Sequence, residues 1–107
     1  MELANVPALE KAAKRHPQAA AWLSNWSEFA KRASWRSIID VRVMYPHADA
    51  IPLRSGRKIV KVVTCFNVAG NDYRLLTAIN YAAQRVTIID VLTHAEYDKG
   101  KWKKGLS

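Results

Sequence analysis

Apolar and polar positions follow two rhythms along this chain. In the first half the apolar residues recur every three or four positions. Trp22, Trp26, Phe29, Ala30 and Ala33 form such a stripe, widened by Leu23, and predict an amphipathic helix opened at Pro17. Residues 5–15 predict a shorter helix before it, with Asn5 as its cap and Pro7 in its first turn. Residues 34–45 are ambiguous. Val41 and Val43 favour a strand by residue preference, whereas Ser37 followed by Asp40 resembles a helix-capping pair. Ile38, Val41 and Tyr45 would then share a face, which favours a short helix ending before Pro46. The stretch 46–56, with Pro46, Asp49, Pro52, Ser55 and Gly56, reads as a loop.

In the second half the rhythm shortens. Lys58–Phe66 is rich in β-branched residues and predicts a strand. A turn at Asn67–Asn71, a strand over Tyr73–Tyr81, a turn at Ala82–Gln84 and a strand over Arg85–Leu92 follow. Two consecutive hairpins imply an antiparallel meander. Helices first and strands afterwards predict an α+β fold, with N-terminal helices packed on one face of a small twisted antiparallel β-sheet. The opposite face is then expected to be open to a ligand. One domain over residues 1–107 fits this length.

Composition narrows the function. A hydrophobic fraction of 50% is too high for a disordered chain. No apolar run approaches the roughly 20 residues that span a bilayer. The N-terminal stretch MELANVPALEKAAKRH is not an apolar signal, so neither a membrane nor a secreted protein is expected. A single cysteine, Cys65, excludes an intramolecular disulfide framework and a multi-cysteine zinc site. Its apolar neighbours mark it as a core side chain. The net charge is +8 and uneven: residues 1–50 hold seven basic and five acidic side chains, a net +2, and residues 51–107 hold ten and four, a net +6. Such a cationic surface attracts phosphate polymers, acidic proteins or anionic membranes, and charge does not choose among them.

There is no glycine-rich phosphate loop, HExxH motif or nucleophile triad. Asp72, Asp90, Glu96 and Asp98 do not make a recognisable ligand motif, so phosphodiester chemistry here is expected to need neither metal nor cofactor. His16 and His47 read as ordinary surface histidines. Arg74, on a strand just after a turn, suits a phosphate held by its planar fork, or equally a cross-strand ion pair with Asp90. His94 follows the last strand, where it can exchange protons near neutrality or merely cap the sheet. Tyr97, three residues on, can orient a phosphate, stack on a base or simply pack.

FNVAGNDYRL (Phe66–Leu75), the INY strand end (Ile79–Tyr81) and THAEYDKGKW (Thr93–Trp102) resemble the HigB-type toxins of the RelE-like superfamily. Trp35 and the YPHAD segment (Tyr45–Asp49) extend the resemblance, which runs from about Ala19 to Trp102. Ala69 stands where many relatives carry glycine. The resemblance implies a RelE-like fold and a cytoplasmic endoribonuclease that cuts messenger RNA, generally on the ribosome, to a 2′,3′-cyclic phosphate and a 5′-hydroxyl. It also implies a HigA-type helix-turn-helix antitoxin as partner. Within that pattern Arg74 is assigned to the scissile phosphate, His94 to proton transfer and Tyr97 to orienting the phosphate or a base. Lys61 is assigned a second charge beside them. Arg57, Lys58, Lys101, Lys103 and Lys104 are assigned to the RNA backbone, and Asn71 to bracing its turn or touching RNA. Three other readings share the charge: a non-catalytic nucleic-acid-binding module, a ParE-like gyrase-inhibiting toxin, and a scaffold for an acidic protein.

Overall fold

The two rhythms become two layers. A computed structural model describes residues 1–104. The elements run β1 (Glu2–Ala4), α1 (Val6–Arg15), α2 (Ala20–Arg32), α3 (Ile38–Met44), β2 (Asp49–Ser55), β3 (Lys58–Val68), β4 (Tyr73–Asn80), β5 (Arg85–Thr93) and α4 (His94–Lys99). Short 3-10 segments lie at Pro17–Ala19 and Lys101–Lys103. The strand order in the sheet is β1-β5-β4-β3-β2.

The α+β class and the β3-β4-β5 meander match the expectation. The sheet itself is mixed, because β1 pairs with β5 in parallel, Leu3 opposite Val86. Three residues are too few to display an alternation, and their partner lies more than eighty positions away. The predicted loop at 46–56 contains strand β2, antiparallel to β3. Pro52 is tolerated there because β2 is an edge strand, where a missing N–H costs no ladder bond.

The helices bury one face of the sheet. Leu23, Trp26 and Ala30 of α2, Val41 of α3, and Leu9 and Ala12 of α1 pack with Phe66, Val68, Leu75, Val86, Ile88 and Val91. Aromatic edges order this layer: Trp26 meets Phe66 at 5.4 Å and 66°, and Tyr45 meets Phe66 at 5.3 Å and 86°. Phe29 departs from the predicted stripe and is exposed. Asn5 does not cap α1 with its side chain. It adopts a left-handed conformation, and its amide donates to the Ile88 carbonyl instead, at 2.9 Å. The capping reading of α3 holds: Ser37 Oγ accepts from the Ile39 N–H, and Asp40 accepts the Arg36 N–H at 2.9 Å.

The other face is only partly open. Leu53, Val63, Cys65, Leu76 and Leu92 make a smaller apolar cluster under Tyr97 and Trp102. The chain after β5 therefore folds back as α4 and covers part of the surface expected to be free.

Candidate functional site on the second sheet face

Alternation along β4 sends Tyr73, Leu75 and Thr77 toward the helices and Arg74 and Leu76 to the other face. The turn before it is tight: Ala69 and Gly70 both take positive φ, 51° and 75°. Ala69 thus occupies a conformation that glycine adopts without steric cost. This turn brings Asn71 back over Arg74. The Arg74 Nη1 donates to the Asn71 and Tyr73 carbonyls at 3.1 and 3.0 Å, and its Nη2 donates to Asn71 Oδ1 at 2.6 Å. Asn71 therefore braces both the turn and the guanidinium. Arg74 is buried, yet it is not paired with Asp90. Asp90 pairs with Arg15 of α1 at 3.3 Å, which removes the cross-strand ion pair as the reason for Arg74.

β5 ends in a capping box. Thr93 Oγ1 accepts the Glu96 N–H at 3.1 Å, and Glu96 Oε1 accepts the Thr93 N–H at 2.9 Å. The bond from the Thr93 N–H holds the Glu96 carboxyl below its ordinary range. The cap turns the chain at once into α4 and makes His94 its first residue, anchored by its N–H to the Asp72 carbonyl at 2.9 Å. His94 Nδ1 lies 3.0 Å from Arg74 Nη2, and His94 Nε2 lies 2.9 Å from Asp98 Oδ2. Because guanidinium nitrogens only donate, Nδ1 is the acceptor and the remaining proton sits on Nε2, directed at the carboxylate.

One turn on, the Tyr97 ring faces Arg74, with the guanidinium carbon 5.4 Å from its centroid. The ring also stacks on Trp102 at 5.5 Å and 15°, and the Lys103 ammonium lies 5.6 Å from the Trp102 ring. The Trp102 indole N–H donates to the Tyr97 carbonyl at 3.1 Å and closes the column. Burial pushes the Tyr97 hydroxyl up to about 12 and the neighbouring Cys65 thiol up to about 11. Both are neutral at physiological pH, so Tyr97 is a hydrogen-bond donor there and Cys65 behaves as the core side chain its surroundings predict.

Arg74, His94, Tyr97 and Asn71 are thus gathered in one place. Lys61 is not. It lies on the same sheet face, opposite Leu53, but six residues along β3 from Asn67, the partner of Arg74. Six strand residues span about 20 Å, so the register does not bring Lys61 to the Arg74 cluster. Arg57 and Lys58 are farther still, at the β2–β3 turn. Lys103 is at the site's edge through Trp102, and Lys101 lines an adjacent cleft of about 420 Å³ with Asp90, Leu92, Glu96, Lys99 and Trp102. Lys104 follows the closing 3-10 segment and is exposed. Among the described residues no three His, Cys, Asp or Glu side chains are grouped as metal ligands.

Asp98 and Trp102 were not expected in the site. Thr93-x-x-Glu96 is a readable capping box, and a helix from His94 places His94 and Asp98 four apart on one face.

A family model for the HigB toxin, a RelE-like toxic component of a toxin–antitoxin system, matches residues 19–100. The chain belongs to the HigB toxin family. Among relatives, the chain is 24% identical to the mRNA interferase HigB of Escherichia coli O6:H1 over 99 residues, covering 92% of this chain and 90% of that one. It is 26% identical to the mRNA interferase toxin HigB of Escherichia coli K12, and likewise to mRNA interferase HigB of Shigella flexneri, each over 98 residues, 92% of this chain and 88% of theirs. As a toxin of such a module the protein has an antitoxin partner. Among the described residues no helix is long and apolar enough to cross a membrane.

Proposed function

We propose that this HigB-family toxin is an mRNA endoribonuclease that acts on ribosome-bound message in the cytoplasm, with a HigA-type antitoxin as its partner. The observation that carries the reading is the 3.0 Å contact between the buried Arg74 guanidinium and His94 Nδ1 on the partly open sheet face. It joins a phosphate-binding charge to a proton-exchanging group. The relatives' activity toward mRNA supports the same substrate.

RNA carries its own nucleophile, so the protein has to align the 2′-hydroxyl, take its proton and stabilise charge on phosphorus. Arg74 holds the scissile phosphate by its fork. His94 takes the 2′-hydroxyl proton as the O2′–P bond forms. The P–O5′ bond breaks, and the departing O5′ takes a proton from water, leaving a 2′,3′-cyclic phosphate and a 5′-hydroxyl. Tyr97, neutral and fixed by the Trp102 stack, donates to a phosphate oxygen or supports a base. Asn71 holds Arg74 in place, and Arg57, Lys58, Lys61 and the Lys101, Lys103, Lys104 group contact the backbone to either side.

The test is cleavage of an end-labelled message by the purified toxin, with and without ribosomes, in EDTA. Cleavage with cyclic-phosphate ends is expected, strongest with ribosomes present. Binding without cleavage under both conditions would mark a nucleic-acid-binding module and defeat the proposal.

A further inference from the structure

His94 is held from both sides. Arg74 Nη2 occupies its Nδ1, and the Asp98 carboxylate occupies its Nε2 at 2.9 Å. These two contacts come from different elements, β4 and α4, and fix ring orientation and tautomer together. A neutral histidine can satisfy both only with its proton on Nε2 and its lone pair on Nδ1. The nitrogen that looks toward the guanidinium, and hence toward the phosphate it would bind, is therefore the basic one.

We infer that Asp98 is a positioning residue for His94: it holds the Nε2–H so that Nδ1 is the nitrogen that receives the 2′-hydroxyl proton. This rests on the proposed catalytic role of His94. The resting guanidinium already spends both Nη atoms on Asn71, Tyr73 and His94. A phosphate that draws Nη2 away releases the His94 Nδ1 lone pair at the moment substrate arrives. Once Nδ1 takes the proton, the positive imidazolium keeps its Nε2–H on the Asp98 carboxylate, which stabilises that charge. Asp98 meets the imidazole at Nε2, the nitrogen that Arg74 does not contact.

The experiment pairs kinetics with nitrogen NMR of histidine-labelled toxin, His94→Ala serving to assign the His94 signals among the three histidines. Wild-type protein is expected to show His94 as the Nε2–H tautomer. Arg74 still donates to Nδ1 in Asp98→Ala, so that variant is expected to keep the tautomer, to shift the Nε2 resonance as the Nε2–H loses its carboxylate, and to lower kcat on the order of 10- to 100-fold, with KM within about twofold. That is less than for a buried triad carboxylate, because the Asp98 side chain is 59% exposed. Asp98→Glu is expected to recover part of both signals. An unchanged Nε2 resonance in Asp98→Ala, or parental kcat in that variant while His94→Ala is inactive, would overturn the positioning role. Parental cleavage by His94→Ala would instead overturn the catalytic reading of His94, and the Nε2 resonance separates the two failures.

Discussion

The two faces of the sheet are built on different terms. The helix face is large, aromatic and closed: Trp26, Phe66, Leu75 and Val86 are essentially inaccessible, and apolar contact dominates there, with exposed ion pairs such as Arg15–Asp90 only at its edge. The second face has a small apolar floor of Cys65, Leu76 and Leu92 beneath a polar assembly of Arg74, His94, Tyr97 and Asp98. The first face gains stability from area removed from water. The second spends part of its burial on a guanidinium whose donors meet a carbonyl pair, an amide and an imidazole rather than a carboxylate. Such an arrangement leaves net positive charge unneutralised, which suits an incoming phosphate.

Changes on the first face should therefore cost stability, and changes on the second should cost function. Trp26→Ala is expected to lose about 3–5 kcal/mol, the usual cost of emptying a core aromatic site. Chemical denaturation measures it, and a loss under 1 kcal/mol would dissolve the contrast. Arg74→Lys keeps the charge but loses the fork. It is expected to lower kcat about 10²- to 10³-fold with a circular dichroism spectrum and melting temperature close to parental. A large drop in melting temperature with proportionate activity would make Arg74 a structural residue. Thr93→Ala removes half the capping box under α4 and is expected to cost about 1 kcal/mol. Because α4 carries His94, Tyr97 and Asp98, its effect on cleavage should exceed its effect on melting; equal effects would uncouple the helix from the site.

The smallest effect at neutral pH is reserved for Cys65. Its thiol ionises near 9 in the unfolded chain and is held to about 11 in the fold, while Tyr97 moves from 10.0 to about 12. Both shifts disfavour the folded anion. The stability they represent is whole below pH 9 and is lost as pH rises through 11 and toward 12. Melting curves from pH 8 to 11 should show that decline, and Cys65→Ser should make it shallower while leaving cleavage at pH 7 unchanged. An identical decline in the variant would place the titration elsewhere.

The sequence by itself determined the elements that carry a strong local period. The three-and-four spacing in α2 and the β-branched runs of β3, β4 and β5 state their own structure, because local backbone preference and the buried stripe agree there. Ser37 and Asp40 were likewise enough to locate α3. The motifs around Arg74 and Thr93–Asp98 were enough to indicate the family.

The tertiary structure alone decided what depends on partners distant in the chain. β1 exists because β5 offers an edge, and β2 forms despite Pro52 because β3 supplies its hydrogen bonds. Asp90 turned out to serve Arg15, and Lys61 to lie well away from Arg74, facts set by register rather than composition. The clamp on His94 is the sharpest case. Arg74 and His94 stand twenty positions apart, and only the β4–β5 pairing and the turn into α4 bring a fixed donor and a fixed acceptor to the two sides of one imidazole.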